Sequence, residues 1–415
     1  MSYIFTYNSK NIFQGMVFNM DFNMDFNTMA YIVGILFLIL AIIIGYIKHK
    51  YGFWMMQPVF HVYDFWYLFM SPTIISKGLP KENKYTNMVN IKTYTSLSDI
   101  QTTNMVHFIQ LNYHRNGDNV FCPKKENIVP YFTGHNSQPM FSFYKKQQLM
   151  LDMKTGNTID DDAIIGIMTT RPSHVRLKNS TFDVNYVDYL CVDVLNRNQG
   201  IAPQLIQTHN YNMLHTTNNK IPISLFKRED QLTGIVPLCI FSTYGYSLDR
   251  LRKMQLHSRF KIESVSKKSY HKLHNFLNQH MDNDFDLVVM SESSNIVTLL
   301  DTNNIFVSVL LTGNEIIAAY FFRKTCVTIE ANKEVLTCIG SLNHCETDDV
   351  FVKGFKMCFW EIANKFNFKY LAIENISHNH YIVDTLKPAL ISPTAYFFYN
   401  YACNSIPSHR AIVIN

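Results

Sequence analysis

The chain has no Cys-x-x-Cys pair among its eight cysteines, and no Cys/His pair stands at metal-ligand spacing, so a zinc framework is not expected and no metal site is assigned. The cysteines are scattered, several inside apolar runs such as Leu190-Cys191-Val192, and read as reduced core thiols in a cytosolic setting. No long Lys/Arg block is present, and the formal net charge of +5 is mild. Nothing therefore demands nucleic acid, although a weakly basic surface suits an anionic ligand or a membrane. There is no Walker-type Gly-Lys-Ser/Thr loop and no Ser-His-Asp arrangement at motif spacing, which removes the common nucleotide hydrolases and serine hydrolases. His378-Asn379-His380 reads as a turn, and Asp160-Asp161-Asp162 as an acidic turn ahead of a strand.

What is present is enough apolar material for a large core: 47% of 415 residues are hydrophobic, a length that suggests two or three domains. Met29 to Ile47 carries no charge over its 19 residues and spans about 28 Å as a helix, close to the thickness of a bilayer core. It is followed by Lys48-His49-Lys50 rather than by a small-residue cleavage site, so a retained single-pass helix is expected. The slight excess of lysine after it places the long C-terminal part on the cytosolic side. Before it, Asn19-Met-Asp-Phe22 and Asn23-Met-Asp-Phe26 form a four-residue repeat in what reads as a low-complexity tail. After it, Phe60 to Met70 is rich in aromatics, which fits either a membrane-interface position or a folded arm, and Lys77 to Asn87 reads as a linker.

The most informative stretch is Val187 to Ile206. Tyr189, Cys191 and Val192 suit a strand, Arg197, Gly200 and Ala202 form an Arg-x-x-Gly-x-Ala turn, and Pro203 falls in a first helical turn. A strand, a turn of small residues and a helix start make a cradle in which backbone N–H groups approach a diphosphate, as an acyl-CoA requires.

This stretch closely resembles the Leu-Cys-Val, eight residues, Val-Ala-Pro-x-Leu-Ile signature of N-myristoyltransferases, a two-lobed branch of the GNAT acyltransferases, with identical spacing. Three further blocks agree in order. Tyr51-Gly52-Phe53-Trp54-Met-Met-Gln57-Pro58-Val59 is similar to the family's Tyr-x-Phe-Trp-x-Thr-Gln-Pro-Val. Asn112-Tyr113 with Asp118-Asn119-Val120-Phe121 is similar to its Asn-Tyr-Val-Glu-Asp-Asp-Asp-Asn-Met-Phe. Tyr396-Phe-Phe-Tyr399-Asn400-Tyr401-Ala-Cys403 and the final Ala411-Ile-Val-Ile-Asn415 resemble the family's last segment. The resemblance covers residues 51 to 415.

The resemblance implies myristoyl-CoA as co-substrate, with no prosthetic group. Its contacts would be Gly52, Phe53, Trp54, Leu190, Cys191, Val192, Arg197, Asn198, Gln199, Gly200, Ile201, Ala202 and Pro203. It also implies an oxyanion hole from the backbone amides of Tyr189 and Leu190, and a proton acceptor in the terminal carboxylate of Asn415. A peptide α-amine has a pKa of about 7.7 to 8.0 and must lose a proton before it attacks, hence the need for a base. Asn112, Tyr113 and Phe121 are the implied acceptor contacts. Two departures fall on that side: the family's acidic Glu-Asp-Asp is Arg115-Asn116-Gly117 here, and Phe226-Lys227-Arg228-Glu229 stands near the position of its Tyr-Thr-Ala-Gly. The exchange of carboxylates for an arginine implies rejection of basic peptides.

The expected fold is α+β: two tandem GNAT-like lobes of mainly antiparallel sheet with flanking helices, preceded by one transmembrane helix. The expected division is a tail over 1–28, the membrane helix over 29–47, an arm and linker over 48–95, an acyl-CoA lobe over 96–255 and an acceptor lobe over 256–415. The expected activity is transfer of a long acyl group, myristoyl by resemblance, from CoA to the N-terminal glycine of a protein by a membrane-tethered monomer. The alternative is an inactive homologue that binds acyl-CoA or peptide.

Overall fold

The computed structural model describes residues 26–113, 115–116, 119–151, 158–216, 220–229, 234–247, 254–329 and 333–415. They belong to two compact units, one ending at Gln57 and one running from Pro58 to Asn415. In the first unit a single helix, α1, covers Phe26–Tyr51. Its window Met29–Tyr46 has a mean hydropathy of 2.6 with no residue buried, long and apolar enough to cross a membrane. The helix runs past the expected end at residue 47 through Lys48-His49-Lys50, because no breaker intervenes before Gly52. A 3₁₀ turn at Trp54–Met56 follows. The Asn-Met-Asp-Phe repeat lies, up to residue 25, outside the described residues.

In the second unit, α2 (Asp99–Asn112) starts where Ser98 and Gln101 cap each other reciprocally, and it buries Met105, Val106, Phe108 and Ile109. The long hairpin strands β1 (Met140–Leu151) and β2 (Thr158–Leu177) lead to β3 (Ser180–Val192), α3 (Ile201–Thr216) and β4 (Ser224–Glu229). Much later in the chain come β5 (Leu287–Met290) and, at its end, β6 (Ala411–Ile414). The mainly antiparallel α+β arrangement is present, and the strands of both halves join in one sheet, 16-stranded among the described residues. Helix Asp348–Phe366 covers its second half, laying Phe351, Phe355 and Phe359 on Tyr320 and Phe322.

Three irregularities of register shape the centre. On one side of β2 the partner changes: β1 pairs as far as Thr170, opposite Met140, and β5 begins at His174, opposite Met290. Arg171, Pro172 and Ser173 fall in the gap, where a proline without an N–H costs no ladder bond. On the other side, Thr169 faces Tyr189 but Thr170 faces Val187, so Asp188 is the extra residue of a bulge in β3. Finally, β3 and β4 are parallel neighbours only from Asn185–Ser224 to Val187–Phe226, after which they part.

Two expectations need correction. Asp160 to Asp162 are residues of β2, not a turn before it, because the ladder to β1 continues to Thr158; Asp162 faces Gln147 and lies 3.7 Å from the Lys145 ammonium. Of the eight cysteines, all free, six are core thiols, but Cys122 is exposed and Cys345 half-buried.

Candidate active site

The fork between β3 and β4 leads to a cradle. After β3 the chain makes a short turn at Val194–Asn196, and Asn198 (φ 62°) and Gly200 (φ 76°) are both left-handed. Such a curl turns successive N–H groups to one side, and only glycine takes a positive φ without penalty. The first turn of α3 then begins at Ile201 with Ala202 and Pro203, the Gln204 amide being bonded back to the Gly200 carbonyl at 3.3 Å. The N–H groups ahead of it have no partner within the helix, and the helix dipole adds partial positive charge. Helix α3 lies close against the sheet because Gly166 of β2 has no side chain: a Cβ there would stand 2.8 Å from Leu205 Cδ1.

Arg197 and Asn112 meet at this cradle. The guanidinium donates to the Asn112 carbonyl at 3.0 Å and to that of Val192 at 3.4 Å, ending α2 with a cation at its negative pole. Asn112 Oδ1 accepts the Val194 N–H at 3.3 Å, and its amide group donates to the Phe108 carbonyl. Arg197 thus fastens the cradle to α2, and Asn112, expected on the acceptor side, has its contacts here. Cys191, on the same strand, is buried, and burial pushes its thiol up to about 12, so it is no nucleophile at neutral pH.

Tyr189 and Leu190 follow the bulge. The Tyr189 N–H donates to Thr169 Oγ1 at 3.2 Å, a long bond to a hydroxyl that can rotate away. The Tyr189 ring stands 5.4 Å from that of Tyr113 and 6.4 Å from that of Phe121, a half-buried aromatic group beside the fork. Burial raises the phenols of Tyr113 and Tyr189, which stay neutral donors.

Behind the bulge lies an ionic centre that motif reading missed. Arg171, fully buried, holds the Asp188 carboxylate through Nε at 3.0 and 3.1 Å and lies between the rings of Tyr131 and Tyr186, 5.3 and 5.2 Å from their centroids. Burial raises the Asp188 carboxyl, and the Arg171 charge pulls it back. Arg171 Nη1 donates to Ser291 Oγ at 2.8 Å, and the Ser291 N–H donates to the Ile414 carbonyl at 3.2 Å. The bulge and the end of β6 are thereby linked through two side chains. Asn415 itself is 1% exposed, its side-chain nitrogen buried without a hydrogen-bond partner among the described residues, and burial raises the pKa of the Tyr186 phenol. The signal in the sequence was a lone arginine at the end of the apolar run Ile164 to Thr170.

On the β4 side, the Lys227 ammonium lies 2.9 Å from Glu374 and 3.3 Å from Glu229, and Arg323 reaches Glu374 at 3.5 Å. Burial would lower the Lys227 pKa, but the two carboxylates more than offset it and hold the ammonium charged. Gly117 and Asp118 of the altered acidic loop lie outside the described residues. Gly52, Phe53 and Trp54 belong to the first unit, where the two rings meet edge to face at 5.1 Å.

Among solved structures, the chain resembles Saccharomyces cerevisiae N-myristoyltransferase with bound myristoyl-CoA, with a TM-score of 0.65 and 13% identity over 87% of this chain and 90% of that one. The same yeast enzyme with myristoyl-CoA and inhibitors gives a TM-score of 0.66 at 12% identity, over 86% of this chain and 91% of that one. The fold is that of N-myristoyltransferase. No family model and no curated protein sequence matches the chain.

Proposed function

We propose that this chain is an N-acyltransferase that moves a long acyl group, myristoyl in the first instance, from CoA to the α-amine of an N-terminal glycine. The observation that carries the reading is the bulge at Asp188, set at the fork of β3 and β4 and followed by the left-handed turn into α3. A cradle for phosphates, a break in the ladder beside it and a cleft between parted strands are what a thioester donor needs. The likeness to a structure with bound myristoyl-CoA supports the same donor.

In this mechanism the amides of Gly200, Ile201 and Ala202 hold the diphosphate, and those of Tyr189 and Leu190 stabilise the thioester oxygen as it gains charge. The α-carboxylate of Asn415 takes a proton from the acceptor's ammonium. The freed nitrogen attacks the carbonyl carbon, the C–S bond breaks, and the CoA thiolate leaves with the second amine proton. Tyr113 and Phe121 flank the acceptor. Helix α1 anchors the enzyme with its second unit in the cytosol, as a monomer.

A second reading, a binding homologue without turnover, is favoured by the Lys227–Glu374–Arg323 cluster and by the engagement of the Tyr189 amide with Thr169. The full chain in vesicles, given myristoyl-CoA and a library of glycine-starting peptides, decides. Release of free CoA with a matching mass gain on the peptide amine supports the enzyme; saturable acyl-CoA binding with neither product supports the homologue.

A further inference from the structure

The surface from Val62 to Met70 has no part in the chemistry above. Its base is fixed to the body of the second unit: the Val62 N–H donates to the Gly234 carbonyl at 3.0 Å, the Val236 N–H to the Phe60 carbonyl at 2.7 Å, and Asn404 Nδ2 to the Leu68 carbonyl at 3.4 Å. The ring of Phe60 is buried and stands 5.5 Å from that of Tyr67. From this fixed base Val62, Tyr63, Phe65, Leu68 and Met70 are exposed, Trp66 is 80% exposed and Phe69 86%. Seven large apolar side chains in nine residues are more than scattered surface hydrophobics, and they call for a partner.

The chemistry selects one. The only charged residue from Val62 to Ser76 is Asp64, and its carboxylate is turned back to accept the His61 N–H at 3.0 Å. Lys77, Lys81 and Lys84 follow, all exposed, with Glu82 the one acid among them. Outward Phe, Trp and Tyr without an outward carboxylate, flanked by lysines, is the pattern of a segment at the boundary between acyl chains and anionic headgroups. Only residues 47–61 separate this segment from the apolar window of α1, so the bilayer that takes the helix is within its reach.

We propose that Val62–Met70 is a second membrane-contacting surface, a fixed aromatic tip that enters the headgroup region of an anionic bilayer. This rests on the reading of α1 as an anchor and adds to it: the tip would hold the second unit against the surface on which long-chain acyl-CoA partitions.

The full chain is reconstituted in phosphatidylcholine/phosphatidylserine vesicles as the Trp54→Phe, Trp360→Phe variant, leaving Trp66 as the sole tryptophan of three. The expected result is emission quenched at least twofold by lipids brominated at shallow acyl positions and largely protected from iodide. Free quenching by iodide with no effect of brominated lipid overturns the proposal. So does shielding from both quenchers, which means cover by residues 1–25 if it persists on dilution and by a second copy if it does not. Extraction with alkaline carbonate, run in parallel, reports on α1 alone: release of the chain defeats the anchor, whereas resistance combined with an iodide-accessible Trp66 defeats only the tip.

Discussion

The Arg171 guanidinium meets the Asp188 carboxylate at 3.0 Å, and Asp188 is the residue that the β3 bulge leaves without a partner in β2. A bulge needs something to hold its extra residue, and here a buried cation does so while also reaching, through Ser291, the carbonyl of Ile414. The same guanidinium therefore touches both the bulge that precedes Tyr189 and Leu190 and, through Ser291, the strand that leads to Asn415.

Breaking that pair leaves one buried charge unpaired. Arg171→Met or Asp188→Asn should each cost about 3–5 kcal/mol in denaturant unfolding. The double variant should recover most of that loss, because an uncharged pair carries no desolvation penalty. If the pair positions the bulge, kcat falls in all three variants and stays low in the double one. Recovery of kcat along with stability would mean that the pair is structural only.

Gly166 sets the distance between α3 and the sheet. Gly166→Val would bring branched carbons against Leu205 Cδ1 and Ile201 Cγ2, which already lie 2.8 and 3.2 Å from the position of a Cβ. The expected cost is about 1–3 kcal/mol. Because α3 begins at the cradle, the affinity for acyl-CoA should fall severalfold, measured by calorimetry, with Gly166→Ala showing a smaller loss.

Gly200 separates backbone from space, since a Cβ there would meet nothing within 4 Å while φ is +76°. Strain alone, about 1–2 kcal/mol, should weaken acyl-CoA binding roughly tenfold in Gly200→Val. Gly200→Asn, which accepts left-handed backbone, should lose less. Equal losses in the two variants would point to the added carbon rather than to conformation.

His209 is buried between Ser142 Oγ at 2.8 Å and Thr170 Oγ1 at 2.9 Å, and burial pushes its pKa down to about 3. The unfolded chain binds this proton near pH 6.5, so the unfolded state holds more protons at any pH between the two values. Stability from this group is complete above pH 6.5 and is lost as pH falls toward 3, at up to about 1.4 kcal/mol per pH unit. Replacing it, as in His209→Gln, should flatten the unfolding free energy over that window; an unchanged slope would contradict the assignment.

The local part of this site was legible and the distant part was not. Leu190 through Leu205 forms strand, turn and helix from consecutive residues, so its spacing alone carries the cradle. Helix α2 buries Met105, Val106, Phe108 and Ile109 but leaves Ile100 and Leu111 exposed, so apolar spacing alone does not mark its buried face. Arg171 and Asp188 are 17 residues apart on different strands, and only the register of β2 on β3, with its slip at Thr169/Thr170, brings them together. Ser291 lies 120 residues from Arg171, and no periodicity announces that contact. The aims of Asn112 and Arg197 at each other depend on where α2 ends against the turn after β3, again a tertiary matter.

In the proposed mechanism the carboxylate of Asn415 takes the acceptor's proton beside the amides of Tyr189 and Leu190. One glycine added after Asn415 moves that carboxylate by a residue and touches nothing in the cradle. This extended chain should bind myristoyl-CoA with unchanged affinity in a direct titration, while kcat for the glycine-starting peptide should drop by at least about a hundredfold, the scale of losing a positioned general base. Full turnover in the extended chain would contradict that mechanism.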